Sequence, residues 1–554
     1  IADLTGNTSA RDKILSTIKN RLENWLKAES GEIAFLFYYN PTWTSLIGYP
    51  AGHGQDSNLN DHHFHWGYFI HAAAFVEQYQ PGWANQWGDM VNMLVRDAAN
   101  TNRSDAMFPF MRNFSPFAGH SWANGFALFP QGNDQESTSE SMQFNSSLIH
   151  WGMATNNKTL RDLGIYLYTT EKTAIEEYWM DVYDRNFPPT QQYSIVSRIW
   201  GNSFDNGTFW TGDIAASYGI ELYPMHGGSL YLGQNWNYAA KLWNEMKANT
   251  GILNNEVNPN LWHDVFWEFA SFVEPEKAIE LYNSNPNRSL KFGISDAQTY
   301  HWIHAMNALG KVEASITSNY PMSVVFNKNG DLTYVAYNYS SSPITVSFSN
   351  GFQLSIPAKK MVTSKDSNIF ASLTSSFNES YSGGSILLSA AVNGGTPMKI
   401  EFMDGANLIG TITNQPYQWN AKNLQAGTHS LYARIYENET KFSVTNSVEV
   451  IVGDQVPFGG AAWAIPGMIE AGKFDSFEGG KGQNISYFDN TIANQGDYRL
   501  DEYVDAGLSA SEGATVGWIT PDEWLEYTIN ITETGLYTMD FRYASANANA
   551  RGPF

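Results

Sequence analysis

Cysteine is absent from all 554 residues. That excludes disulfides, thiolate metal sites and a cysteine nucleophile together, a pattern compatible with an extracellular enzyme. Positive charge is scarce as well: 32 Lys and Arg stand against 55 Asp and Glu, a formal net charge of -23. Such a balance repels a phosphate backbone, so no nucleic-acid partner is expected, and it disfavours anionic polysaccharides; a neutral ligand fits better. No run of eighteen or more apolar residues occurs and no basic-then-apolar leader is present, so no membrane insertion is expected. The chain starts at Ile rather than Met, which reads as a processed or excised product, and secretion is the expectation.

Apolar residues make up 43% of the chain and aromatics 15%, with 19 Trp and 30 Tyr. This is ample material for packed cores, and the length predicts roughly three or four domains. The aromatics left after the cores are filled suit flat sugar faces.

From about residue 10 to 310 the hydrophobic period is helical. Ile14, Ile18, Leu22 and Trp25 predict a helix over 10–28, with Ser9 and Asp12 placed as a capping box. Trp87, Met90, Val91, Leu94, Val95 and Ala98 repeat the pattern, as do Leu261, Val265, Phe269, Phe272 and Val273. Between them lie long loops such as 40–60 and 103–133, of the kind that carries function. Near residue 320 the period becomes two: runs flanking Asn329-Gly330 and Asn350-Gly351 read as two hairpins. Residues 368–453 continue in short alternating runs, which reads as an immunoglobulin-like sandwich.

Two acidic segments stand out: Asp61-His62-His63-Phe64-His65 and Gln135-Glu136-Ser137-Thr138-Ser139-Glu140. Hydrolysing a glycosidic bond usually takes one carboxylic acid to protonate the leaving oxygen and a carboxylate across the sugar to activate water or attack. A helix over 135–151, capped by Asn133 or Asp134, would put Glu136 and Glu140 on one face, where like charges repel. The competing reading makes both ordinary first-turn carboxylates and Asp61 a helix cap. The histidines invite a metal, but this spacing matches no standard zinc site, so none is assigned. His63 and His65 are better placed to bond sugar hydroxyls or to hold Asp61. His120 and Trp122, in Gly119-His120-Ser121-Trp122-Ala123, offer a hydrogen bond and a stacking face.

At Asp61 to Tyr68, Leu94-Val95-Arg96-Asp97, Gly119 to Ala123 and Gln135 to Glu140 the chain resembles glycoside hydrolase family 81, the endo-β-1,3-glucanases or laminarinases. The resemblance spans about residues 10–365. It implies an (α/α)6 barrel and inverting endo-hydrolysis of β-1,3-glucans such as laminarin, with no cofactor needed for catalysis. Carried over, Asp61 corresponds to the general acid, Glu136 to the general base, and Glu140 to a third acidic residue nearby. Members of that family also carry a large β-sandwich upstream of the barrel. Without it, the hairpins of 319–366 are expected to expose an edge and an apolar face.

The last segment resembles carbohydrate-binding module family 6 through Ile465 to Ala471, Tyr498-Arg499, Val504-Asp505 and Trp518 to Tyr527, over about the module's first two thirds. This implies a calcium-supported rim at Glu470, although Gly472 stands where a second acidic ligand is expected, and Tyr498 reads equally as a sugar-stacking face or as a core residue. The expected layout is therefore multidomain: a barrel over 1–318, associated hairpins over 319–366, an Ig-like β-sandwich over 367–453, a linker over 454–461, and a truncated jelly-roll-like module over 462–554. A monomer acting on β-1,3-glucan is the leading expectation. A non-catalytic glucan-binding or adhesion protein, or another (α/α)-barrel polysaccharide-degrading enzyme, are the alternatives.

Overall fold

The computed structural model describes residues 1–3, 5, 7–288, 290, 294–366, 369–393, 395–439 and 441–545. The chain divides into two compact units, residue 1 with 9–365, and 2–8 with 366 onward.

Helices dominate the first unit: α1 (Thr8–Leu26), α2 (His62–Tyr79), α3 (Ala84–Ala99), α4 (Thr138–Ala154), α5 (Lys158–Ala174), α6 (Ile214–Leu222), α7 (Trp236–Asn249), α8 (His263–Ala270), α9 (Pro275–Ser284) and α10 (Asp296–Leu309). In α1 the buried stripe is Leu15, Leu22 and Leu26, while Ile14 is 56% exposed. The apolar face is thus turned by one residue from the expected one, because Leu15 and Leu26 fall in line with Ile18 and Leu22 at helical spacing. Ser9 lies inside the helix and Asp12 pairs with Arg11 at 2.7 Å, so the expected capping box does not form.

Two apolar cores lie among the helices of this unit. One gathers Trp66, Leu94, Val95, Leu148 and Trp151 from α2, α3 and α4. The other gathers Trp179, Trp243, Val265 and Trp267 from the later helices. Between them runs α4, whose Ser139, Ser141, Gln143, Asn145 and Ser147 are all buried. Small and glycine residues let its neighbours close in. A Cβ on Gly67 of α2 would lie 2.4 Å from Gln143 Oε1, and one on Gly164 of α5 would lie 2.7 Å from Ile149 N. Some of the polar groups of α4 find partners across the same seam, with Ser141 and Asn145 donating to the buried Glu171 at 2.7 and 2.8 Å, while Gln143 Oε1 and Asn145 Oδ1 are left without a hydrogen bond.

Both predicted hairpins form. Ser323–Lys328 pairs antiparallel with Asp331–Tyr337 across Asn329 and Gly330, which sit at φ 56° and 90°, the twist a two-residue hairpin loop requires. Ile344–Ser347 pairs with Gln353–Ile356. The apolar face expected to be bare is covered within this unit. Val324, Phe326 and Val335 pack on the second helical core, and Val325, Tyr334 and Ala336 pack on Val346, Leu354 and Ile356.

In the second unit, one sheet orders strands 370–375, 385–393 and 418–422, and the other 379–381, 448–453, 427–436, 399–404 and 407–412. Their inner faces meet in a core of Ile386, Leu388, Ile400, Phe402, Leu431 and Val450, the alternation of a β-sandwich. The expected linker is partly structured: Gln455 and Val456 pair with Phe477 and Ser476. Beyond it, short strand pairs surround a small core of Phe474, Tyr487 and Val504.

Candidate active site

The first acidic segment opens α2. Asp61 sits at its N-cap in the left-handed region, φ 59° and ψ 19°, and its side chain makes no capping hydrogen bond. Its backbone is held instead: Asp61 N donates to Ala123 O and His65 N donates to Asp61 O, both at 2.9 Å. The carboxyl is therefore not spent on the helix, which removes the reading of Asp61 as an ordinary cap.

The second segment differs from expectation. The helix begins at Thr138 with Ser137 as N-cap, and Asp134 and Gln135 pair with Trp200 and Ile199 of a neighbouring strand. Glu136 thus precedes the helix, Glu140 lies in its first turn, and the two do not share a helical face. The start is set by a distant carboxylate, since Glu221 accepts from Thr138 N at 3.1 Å and from Thr138 Oγ1 at 2.5 Å. That supplies the cap which Asn133 or Asp134 was expected to provide.

Asp61, Glu136 and Glu140 nonetheless meet in one open cleft of about 330 Å³, with His53, His65, Asp134, Phe209 and Trp210 along its wall. Burial, then the charges of Glu140, Asp134 and Glu136, hold the Asp61 carboxyl well above the usual carboxylate range. Burial pushes Glu136 up to about 7, against the pull of Arg198 and of the Phe209 amide, which donates to Glu136 Oε1 at 3.3 Å. Burial also raises Glu140, opposed by the Tyr68 hydroxyl that donates to it at 2.8 Å. Three carboxyls so disposed can hold one proton ready to give and leave another group free to accept one.

Of the histidines, His65 reaches this cleft. His63 is fully buried among Phe64 and Phe144, with Nε2 3.3 Å from the Gln135 amide. His120 is 2% exposed, packed against Trp122 and Trp179, with Nδ1 2.8 Å from Ser121 O. Both expected sugar ligands are core residues, a correction whose cause is the close packing of α2 on α4 and of the 120–122 loop on Trp179. Trp122 is half-buried behind His120, and Tyr498, half-buried in the second unit, bridges through its backbone to Ala506.

The sequence reading missed His53, Phe209 and Trp210. The last two are 55% and 53% exposed, stacked respectively on Phe129 and Trp262. Adjacent aromatics in a loop flanked by Gly207 and Gly212 were the available signal. Arg198, bonded to Asp205 at 3.0 and 2.9 Å, lies 4.3 Å from the Phe209 ring centre and supports that loop.

Ligand atoms of His53, Asp61 and His65 come within 4.8 Å of one another. They do not fit a metal. The Gln55 amide, whose oxygen accepts from Gly48 N, lies 2.7 Å from His65 Nδ1, an arrangement that favours a proton over a lone pair on Nε2. A calcium rim is equally poorly served at Glu470. One oxygen pairs with Lys473 at 2.6 Å, the other accepts from Ala514 N at 2.8 Å, and a Cβ on Gly472 would lie 2.9 Å from Thr515 O.

A helical region that gathers three carboxyls beside exposed aromatics has the parts that carbohydrate chemistry needs. Residues 1–328 match the glycosyl hydrolase family 81 C-terminal domain, and the chain belongs to that family. Residues 370–433 match a bacterial Ig domain, in agreement with the sandwich of the second unit. A glucan endo-1,3-beta-D-glucosidase of Acetivibrio thermocellus is 43% identical over 371 residues, 66% of this chain and 47% of that protein. One of Thermobifida fusca is 38% identical over 366 residues, 66% of this chain and 48% of that protein. A solved glycoside hydrolase family 81 structure from Clostridium thermocellum, a point mutant, superposes with a TM-score of 0.63 at 43% identity, covering 66% of this chain and 50% of that one. The chain spans about half the length of the curated relatives it matches.

Proposed function

We propose that this chain is an endo-hydrolase of β-1,3-glucan that works by single displacement with inversion, on an (α/α)6 barrel. Family membership and the names of the relatives support the substrate. The observation that carries the mechanism is Asp61: a carboxyl at a helix start that caps nothing and shares an open cleft with two other carboxyls, where burial and their charges favour its protonated form. Asp61 protonates the glycosidic oxygen as the bond to the anomeric carbon breaks. Glu136, ionised above about 7, takes a proton from the water that attacks the opposite face, and Glu140, oriented by Tyr68, holds that water or tunes Glu136. Phe209 and Trp210 offer stacking faces for glucosyl rings.

Extracellular action belongs to the same reading, because a polymer of this kind is met outside the cell. Among the described residues no helix is long and apolar enough to cross a membrane. A monomeric state is also proposed. So is a carbohydrate-binding role for the segment from 462 on, where Trp518 is 61% exposed.

The test is the first product released from laminarin, followed by proton NMR before mutarotation. An α-anomer is expected. A β-anomer overturns inversion, and binding without any new reducing ends overturns the hydrolase reading in favour of adhesion.

A further inference from the structure

We propose that Gln55 is a positioning residue for the cleft: its side-chain amide locks His65 as the neutral Nε2–H tautomer and, through His65, makes His53 present a fixed Nε2–H donor to the cleft that holds Asp61 and Glu140.

Gln55 is 4% exposed and anchored on three sides. Its Oε1 accepts from Gly48 N, its backbone carbonyl lies 3.1 Å from His62 Nε2, and its Nε2 lies 2.7 Å from His65 Nδ1. His62 is itself tied through Nδ1 to Asp97 at 2.6 Å. Turning the amide over would set its NH2 against the Gly48 N–H, two donors face to face, so the amide nitrogen is the group that meets His65. Nδ1 of His65 therefore accepts, and in a neutral imidazole the proton then sits on Nε2. That Nε2 lies 3.3 Å from His53 Nδ1, which must accept in turn and leaves the His53 proton on its own Nε2. The direction of every bond in the chain is thus set by one buried amide, and His53, at its end, lines the cleft.

The polarity matters because of what stands beside it. The groups facing His65 are Gln55, His53, His62 and Asp61. An imidazolium next to Asp61 would draw off the proton that the acid must keep. A neutral ring gives a hydrogen-bond donor without that charge. Burial lowers the His65 pKa to about 4, so the ring remains neutral through the working range.

The near-isosteric substitution Gln55→Glu tests this. One carboxylate oxygen can still accept from Gly48 N, while the other requires a proton on His65 Nδ1, so the Nε2 donor survives only while the ring is charged. The kinetic arm rests on the hydrolase reading: in Q55E kcat on laminarin is expected to fall on the acid side, where the charged ring draws the proton from Asp61, and to gain a new alkaline limb where the Nε2 donor is lost, reaching about tenfold below wild type by pH 8. A packing role alone would not create such a limb, and an unchanged alkaline profile overturns the proposal. The second arm needs no turnover and no variant that has to refold around a new charge. In 15N-histidine-labelled wild-type protein, with the signal assigned by its loss in His65→Gln, Nδ1 of His65 is expected unprotonated and Nε2 protonated at neutral pH. The opposite tautomer overturns the proposal. If wild type releases no sugar while the tautomer is as expected, the glucanase reading fails and the assignment of Gln55 stands.

Discussion

Asp61 and Asp97 lie at opposite ends of the hydrogen-bonding scale: Asp97 is fully buried, whereas Asp61 is half-buried in an open cleft. Asp97, on α3, collects five donors: His62 Nδ1 at 2.6 Å, Trp66 Nε1 at 2.8 Å, Ser45 Oγ and Leu46 N at 3.0 Å, and Arg112 at 3.4 Å. Burial alone would raise its pKa, but His62, Arg112 and Trp66 outweigh that and hold it below the usual value. Asp61 has carboxylates as its charged neighbours and is driven the other way. A buried acid with its donors supplied is structure, whereas a half-buried acid surrounded by other carboxyls is poised for chemistry.

The same substitution at the two positions should therefore fail in different ways. Asp61→Asn is expected to lower kcat on laminarin by about 10²–10⁴-fold, the worth of a general acid, with the thermal midpoint unchanged or raised. Asp97→Asn is expected to lose activity only because it unfolds. It leaves Arg112 and the His62 cluster without their counter-charge, a cost of about 3–5 kcal/mol, visible as a lowered midpoint in circular dichroism. If both variants melt alike, the division between structural and reactive carboxyls collapses.

Glu136 sharpens the contrast through pH. Its folded pKa, about 7, lies above the ordinary 4.5. The stability it contributes is thus full below pH 4.5 and is lost as pH rises through 7. At pH 8 the ionised form costs at most about 3 kcal/mol, reduced by whatever solvent in the open cleft screens. Glu136→Gln removes that cost, so its melting temperature should exceed wild type by a few degrees at pH 8 and match it at pH 4. Equal differences at both values would show that burial does not perturb Glu136.

How much of this could be read beforehand follows the same line. Elements built by local pattern were legible: the two hairpins turn at Asn-Gly where the period of two predicts, and the later helices follow their apolar stripes. The α4 segment was legible only as motif, because a helix buried all round by small polar side chains shows no apolar stripe. Its start depends on Glu221, 83 residues away from Thr138, and no local signal marks that cap. For the site, the three carboxyls were named from their motifs and do share a cleft. His63 and His120 were chosen for their side-chain chemistry, yet their environment is decided by packing against Phe144 and Trp179, contacts made between segments far apart in the chain. Gln55 was passed over because its importance lies in the direction of its hydrogen bonds.

Tyr68 offers the smallest and finest break. Its hydroxyl, donating at 2.8 Å, is the strongest of the groups, Ser137 among them, that oppose the rise burial imposes on Glu140, where Asp97 has five donors. Tyr68→Phe deletes that hydroxyl and leaves the ring in place. Removing a cause that lowers the Glu140 pKa must raise it, so the acid limb of kcat should move to higher pH, and kcat should fall about tenfold, the worth of one hydrogen bond to a charged group. The fold should hold, since the ring stays in place and α2 and α4 also meet through the apolar packing of Trp66, Phe144 and Trp151. If the acid limb stays where it is, Glu140 does not need to be ionised for turnover, and its role contracts to that of a neutral hydrogen-bonding neighbour of Glu136.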